Sequence, residues 1–153
     1  MTSKSKTSTL HYSVAENYFR KAREYRDSMN QALADRRPNA AALNGIHCAI
    51  SAADSLCVRF HGKRSSSKDH SDAVRLLAEL FADEEARRQA NRLGIILAKK
   101  NQVEYEERLF SQAEAVSVVK QVERLFAWAA SRLGKAFWLR LPKTCDSSVT
   151  GEE

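Results

Sequence analysis

The sequence contains little glycine and proline and no paired cysteine motif. Five glycines and two prolines in 153 residues leave little room for the many tight turns of a β-sandwich or barrel. The three cysteines are odd in number, and Cys48 and Cys57 would lie about 13 Å apart on one predicted helix, too far for a disulfide. No two histidines are four residues apart and no Cys-x-x-Cys occurs, so we predict no metal site and no cofactor.

Long apolar runs are also missing. Residues 1–10 are polar and rich in Ser, Thr and Lys, unlike a signal peptide. No apolar stretch approaches the roughly 20 residues of a membrane span. We therefore expect a cytoplasmic protein that does not enter a membrane.

The residues that are abundant (Ala, Leu, Arg, Glu and Lys) favour helices. Apolar residues recur at spacings of three and four in five segments, and no segment alternates like a strand. Together these patterns predict an all-α fold, an up-and-down antiparallel bundle of about five helices over residues 12–141. Residues 1–11 and 142–153 are predicted to be disordered tails. A length of 153 residues fits one domain.

Several boundaries follow from local signals. The first helix should end before Pro38, because the residue before proline avoids the α region. The second is predicted over about 39–60, with Gly62 ending it. The fourth is predicted over about 84–99, followed by a polar connection over 101–110. Ser111 and Glu114 form a capping box for the last helix, which is predicted to reach about Leu139.

The most unusual segment is a basic loop that leads into the third helix. It combines three cations, three hydroxyls and one imidazole in eight residues. Backbone N–H groups before a helix start, together with the helix dipole, favour an anion such as phosphate, and an Arg can clamp a phosphate through two hydrogen bonds. The alternative is a solvated loop in which Ser67 or Asp69 caps the helix. The candidate binding residues here are Lys63, Arg64, Ser65, Ser66, Lys68, Asp69 and His70.

The net charge of +6 is spread over residues 1–37, 59–75 and 111–142, while 76–110 is slightly acidic. Such a distribution permits an anionic partner such as RNA without requiring one.

Two polar residues lie beside the apolar stripe of the second helix. A buried carboxylate at Asp54 needs a partner, and we expect a Tyr or Arg of the first helix to supply it as a structural lock, with a catalytic role as the alternative. His47, next to Ile46 and Ile50, is interpreted as a packed boundary histidine.

Two further groups are candidates for contacts. Tyr105 and Arg108 belong to a polar cluster that either lines a site or solvates the connection before the last helix. Phe126 and Trp128 are two residues apart and, with Phe137 and Trp138, provide more aromatic area than one narrow core stripe uses. Either the core face is broad, or part of this surface contacts another chain.

The order of these features resembles the HEPN family, the "higher eukaryotes and prokaryotes nucleotide-binding" helical domains. The resemblance lies in an opening helix at 15–22, a helix rich in small residues at 49–56, a His-led helix at 68–77 and a Tyr-containing connection at 103–115. It implies a helical bundle that forms homodimers and binds RNA, a nucleotide or a protein partner, such as a nucleotidyltransferase.

Many members of that family are metal-independent RNases that use an Arg and a His a few residues later. Arg64 and His70, with five residues between them, fit that spacing, and the resemblance implies phosphate binding by Arg64 and proton transfer by His70. The nuclease motif of such members usually lies on a later helix, so this chain is more similar to the nucleotide- or partner-binding branch. We therefore expect a HEPN-like binding module, with a toxin- or defence-type RNA endonuclease as the first alternative and a scaffold protein as the second.

Overall fold

A computed structural model describes residues 7–9, 13–66 and 70–140, with the backbone alone for 7–9, 80 and 135–140. Helices occupy nearly all of this part of the chain, and their buried faces form one main hydrophobic core. The predicted all-α helical bundle is confirmed. Five helices have ten residues or more, and a sixth is a single short segment.

The first two helices are α1 (Val14–Ala34) and α2 (Pro38–His61). Pro38 is the first residue of α2, one position earlier than predicted, because proline's fixed φ and missing N–H suit the first helical turn. Gly62 ends α2 with a φ of 66°, a left-handed conformation that favours glycine, as predicted. The chain therefore reverses sharply at the end of α2.

Helix α2 is the central helix of the bundle. Every residue from 48 to 58 is buried, and α2 makes its most extensive contacts with α1 and α6. Contrary to the sequence-based expectation, α2 is long and apolar enough to cross a membrane by length and composition, with a mean hydropathy of 1.3. Most of it is enclosed by the other helices, as in the core helix of a soluble protein.

The remaining helices are α3 (Ser71–Leu80), α4 (Glu84–Leu97), α5 (Lys100–Tyr105) and α6 (Gln112–Arg140). Asp83 caps α4 by accepting a hydrogen bond from the Ala86 N–H at 2.8 Å. Helix α5 lies where we predicted an irregular polar connection. Six residues are too few to show a helical period, and contact with α2 stabilises this segment instead.

The capping box at the start of α6 is confirmed. The Glu114 N–H donates to Ser111 Oγ at 3.1 Å, and the Ser111 N–H donates to Glu114 Oε2 at 2.7 Å. Further along, Gly134 has φ 77° and ψ 162°, so the uninterrupted helix that we expected is broken there.

Two three-residue strands, which the sequence did not predict, pair beside the end of α2. Strand β1 (Thr7–Thr9) is antiparallel to β2 (Lys63–Ser65), with Ser8 opposite Arg64. The predicted tail over 1–11 thus includes a paired strand, and the rest of it, like 142–153, lies outside the described residues. Three residues are too few to show the alternation of apolar and polar residues by which a strand is recognised, so the sequence could not reveal this pairing.

Candidate functional site

The candidate site lies where β2 returns past the last turns of α2 and faces α1. The turn at Gly62 brings the Arg64 guanidinium to the Asp54 carboxylate, with Nη1 3.7 Å from Oδ2. Asp54 is only 5% exposed, whereas the Arg64 side chain remains one-third exposed. The pair therefore has a buried anion on its inner side and a cation that reaches the surface.

The environment of Asp54 makes its charge costly. Burial raises the pKa of its carboxyl to about 7, and the positive charges of Arg64 and Lys21 act in the opposite direction. We predicted a partner on the first helix, and this was wrong, because the ion-pair partner is Arg64 of β2. Sequence periodicity places Asp54 on α2 but contains no information about which loop returns beside it.

Tyr18 of α1 connects this pair to a second cation. The Arg64 Cζ lies 5.4 Å from the centre of the Tyr18 ring, and Lys21 Nζ lies 5.8 Å from the same centre. Both distances suit cation–π contacts. Burial raises the pKa of the Tyr18 hydroxyl, so the phenol is neutral near pH 7 and adds no negative charge.

Alongside this cluster, α1 borders an open depression of about 450 Å³. Its lining includes the two cationic side chains of Arg20 and Lys21, the Tyr18 ring and the acidic side chain of Glu24. From the sequence we predicted only a solvent-exposed surface for the polar residues of α1. Their three- and four-residue spacings were visible in the sequence, but the contact of Arg64 of β2 with the Tyr18 ring was not.

The other loop candidates occupy different environments. Lys63 and Ser66 are exposed, but Ser65, predicted as a ligand, is only 2% exposed and faces inward. Lys68 and Asp69 lie outside the described residues, as does Ser67. His70 is the N-cap residue of α3, with a φ of 57° and no capping hydrogen bond from its side chain. The His therefore precedes the first helical turn in which we expected it.

Tyr105 and Arg108 do not belong to this site. Arg108 forms an ion pair with Glu114 at 2.8 Å, and Tyr105 is 76% exposed at the end of α5. The neighbouring Phe110 N–H donates to Asn39 Oδ1, at the start of α2. Asp54 is fifteen residues further along that helix, a distance of about 22 Å.

His47 and the aromatic residues of α6 have structural contacts. The His47 ring stacks on Tyr25 with centroids 5.3 Å apart, which confirms a packed boundary histidine. Phe126 is 5% exposed and stacks on Phe19. Trp128 is partly buried against the same core, so these two aromatics form a broad core face within the chain. The side chains of Phe137 and Trp138 lie outside the described residues.

The described residues contain no group of three or more His, Cys, Asp or Glu side chains arranged to hold a metal ion. Cys48 and Cys57 are free and buried, and burial raises the pKa of the Cys48 thiol to about 12. A thiol of that kind stays protonated and is a poor nucleophile.

Comparison with models of known protein families, with curated proteins and with solved structures finds no match. The HEPN resemblance, the homodimer and the RNase alternative therefore stay predictions, and the function proposed for this chain rests on the geometry of the site itself.

Proposed function

We propose that this protein is a binding module that holds a phosphate-bearing ligand, a nucleotide or a segment of RNA, at Arg64, Tyr18 and Lys21. The observation that supports this most directly is the position of Arg64. Its guanidinium is held from inside by Asp54 and lies over the Tyr18 ring, while a third of the side chain remains exposed.

Positioning of this kind favours binding because an Arg that is already oriented loses less conformational entropy when it engages a ligand. A planar guanidinium also matches two oxygens of a phosphate. Lys21, which also contacts the Tyr18 ring, adds a second positive charge. Arg20 adds a third on the rim of the depression, where Glu24 is the acidic residue among the described lining side chains. The surface formed by Arg64, Lys21 and Arg20 thus carries a net positive charge.

The same geometry favours binding over RNA cleavage. Arg64 is one-third exposed, whereas His70 lies at the N-terminus of α3 in a left-handed backbone conformation with its Nδ1 atom buried. A cleavage mechanism would need the Arg and the His to act on one phosphodiester. RNA cleavage in the presence of EDTA, lost in His70→Gln, would replace the binding proposal by the nuclease alternative.

Fluorescence anisotropy with a labelled short single-stranded RNA tests the proposal, with inorganic phosphate as competitor. Arg64→Gln and Lys21→Gln should each weaken binding and reduce the slope of log affinity against log salt by about 0.7, the loss of one phosphate contact with a single strand. Arg88→Gln is the matched control, because it removes an exposed Arg from α4. This helix packs mainly on α2, α3 and α6, whereas Lys21 and Arg64 belong to α1 and β2. Arg88→Gln should leave the slope nearly unchanged.

Two results would contradict the proposal. One is no binding by the wild-type protein at low salt, which would favour a protein partner or scaffold role. The other is equal affinity in the wild type, Arg64→Gln and Lys21→Gln. Sedimentation of the same samples measures whether the protein is the predicted homodimer.

A further inference from the structure

Behind the exposed cation of the proposed site lies a carboxyl group that is almost completely buried. Asp54 belongs to the stretch of α2 in which every residue from 48 to 58 is buried. An ionised carboxylate in such surroundings needs a nearby positive charge. Arg64, 3.7 Å away, is its ion-pair partner. One guanidinium thus faces a buried anion inside and the site outside.

A phosphate bound to the outer side of Arg64 would place two anions on one cation. Two negative groups that share one positive charge disfavour each other's ionisation, and one of them is neutralised by a proton. A phosphodiester is strongly acidic and exposed, so it keeps its charge. The buried carboxyl is the group for which charge is most costly, and it is therefore the one that takes the proton.

The groups that face Asp54 fit this role. Arg64 of β2 and Lys21 of α1 are cations that attract the carboxylate. Tyr18 of α1 and Cys57 of α2 also interact with the carboxylate, but burial raises the pKa of both, so both are already protonated near neutrality. Asp54, with a pKa of about 7, is the member of this cluster that changes charge in the physiological range.

We infer that Asp54 is a positioning residue which couples ligand binding at Arg64 to the uptake of one proton, so that the site binds phosphodiesters more tightly as the pH falls. This inference rests on the proposed function. The ionised carboxylate competes with the ligand for the positive charge of the guanidinium, whereas the protonated carboxyl no longer competes and can still accept a hydrogen bond from Arg64 through its carbonyl oxygen. The pKa of Asp54 sets the pH range of this effect. The affinity for the phosphodiester rises as the pH falls toward about 7 and levels off below pH 7.

The test measures the affinity for labelled single-stranded RNA between about pH 8.5 and about pH 6, a range in which phosphodiesters keep a constant charge. Linkage of one proton limits the change to tenfold per pH unit, and we expect a total rise of about tenfold in the wild type. Asp54→Asn resembles the protonated carboxyl and should bind tightly with little pH dependence. His61→Gln, at the exposed end of α2, replaces a histidine on the same helix outside this cluster and should keep the wild-type dependence.

A second measurement does not depend on the folding of any variant. Calorimetric titration of the wild-type protein with the same RNA at about pH 7.5, in two buffers of different ionisation enthalpy, should show net proton uptake. Binding that requires Arg64 but takes up no proton, or a pH dependence that Asp54→Asn retains, overturns the coupling and leaves the binding function intact. Absence of RNA binding at every pH overturns the proposed function itself.

Discussion

The stability of the folded chain should depend on pH through Asp54. In the unfolded chain its carboxyl has an ordinary pKa of 3.8, whereas burial in the folded protein raises the pKa to about 7. Between these values the folded protein holds this proton more tightly than the unfolded chain does. The resulting stabilisation is fully present below about pH 4 and is lost as the pH rises through about 7.

The magnitude follows from the size of the shift. A difference of roughly three pKa units at about 1.4 kcal/mol each corresponds to about 4 kcal/mol of unfolding free energy. Asn is nearly the same size as Asp and cannot ionise. We therefore expect Asp54→Asn to match the wild type near pH 4 and to be more stable than it near pH 8, by up to about 4 kcal/mol.

Urea unfolding followed by the helical circular dichroism signal at several pH values between about 4 and 8 provides the measurement. Asp27→Asn is the matched control, because it removes an exposed carboxylate from α1. Its unfolding free energy should depend on pH as that of the wild type does. The reasoning is refuted if Asp54→Asn and the wild type give parallel curves over this range. It is also refuted if the variant is the less stable protein at pH 8, since the Arg64 ion pair would then outweigh the cost of burying the charge.

Two further substitutions test the packing and the capping of the helices. A Cβ at Gly45 would lie 3.0 Å from the sulfur of the fully buried Met29, so Gly45→Ala should destabilise the protein by about 1 kcal/mol despite its gain in helix propensity. A Cβ at Gly94 would make an ordinary 3.6 Å contact, so Gly94→Ala should stabilise the protein by up to about 1 kcal/mol. Equal shifts of the two variants in thermal melting would contradict this. Ser111→Ala removes the confirmed N-cap and should cost about 1 kcal/mol in urea unfolding, while Ser117→Ala, exposed within α6, should cost nothing. A matched loss in both serine variants would point away from capping.

Much of the helical framework could be predicted because its signals are local. The end of α2 at Gly62 and the capping box at Ser111 each depend on residues a few positions apart, and both are confirmed. In the polar segment before α6, local signals were not sufficient to predict a helix. Helix α5 is too short to have a period of its own, and its contact with α2 is a tertiary one.

The candidate site shows the same division between local and tertiary information. Arg64 and Asp54 were each recognised from the sequence, one as a cation in a basic loop and the other as a carboxylate on an apolar helix face. Their contact was not predicted, and Tyr18 and Lys21 were not recognised as site residues at all. Conversely, Arg108, which is polar and close to a helix start, lies against Phe110, whose N–H donates to Asn39 at the other end of α2. Tyr105 is exposed at the end of α5.

By itself, the sequence determined the five longer helices, where several of them begin and end, and that Asp54 would need a partner. Those properties follow from periodicity, capping and the cost of burying charge, which act within a few residues. Only the tertiary structure decided that β2 folds back along α2, that Arg64 is the partner, and that α1 supplies the ring and the second cation. Such contacts join residues far apart in the chain, and local patterns contain no record of which distant segments meet.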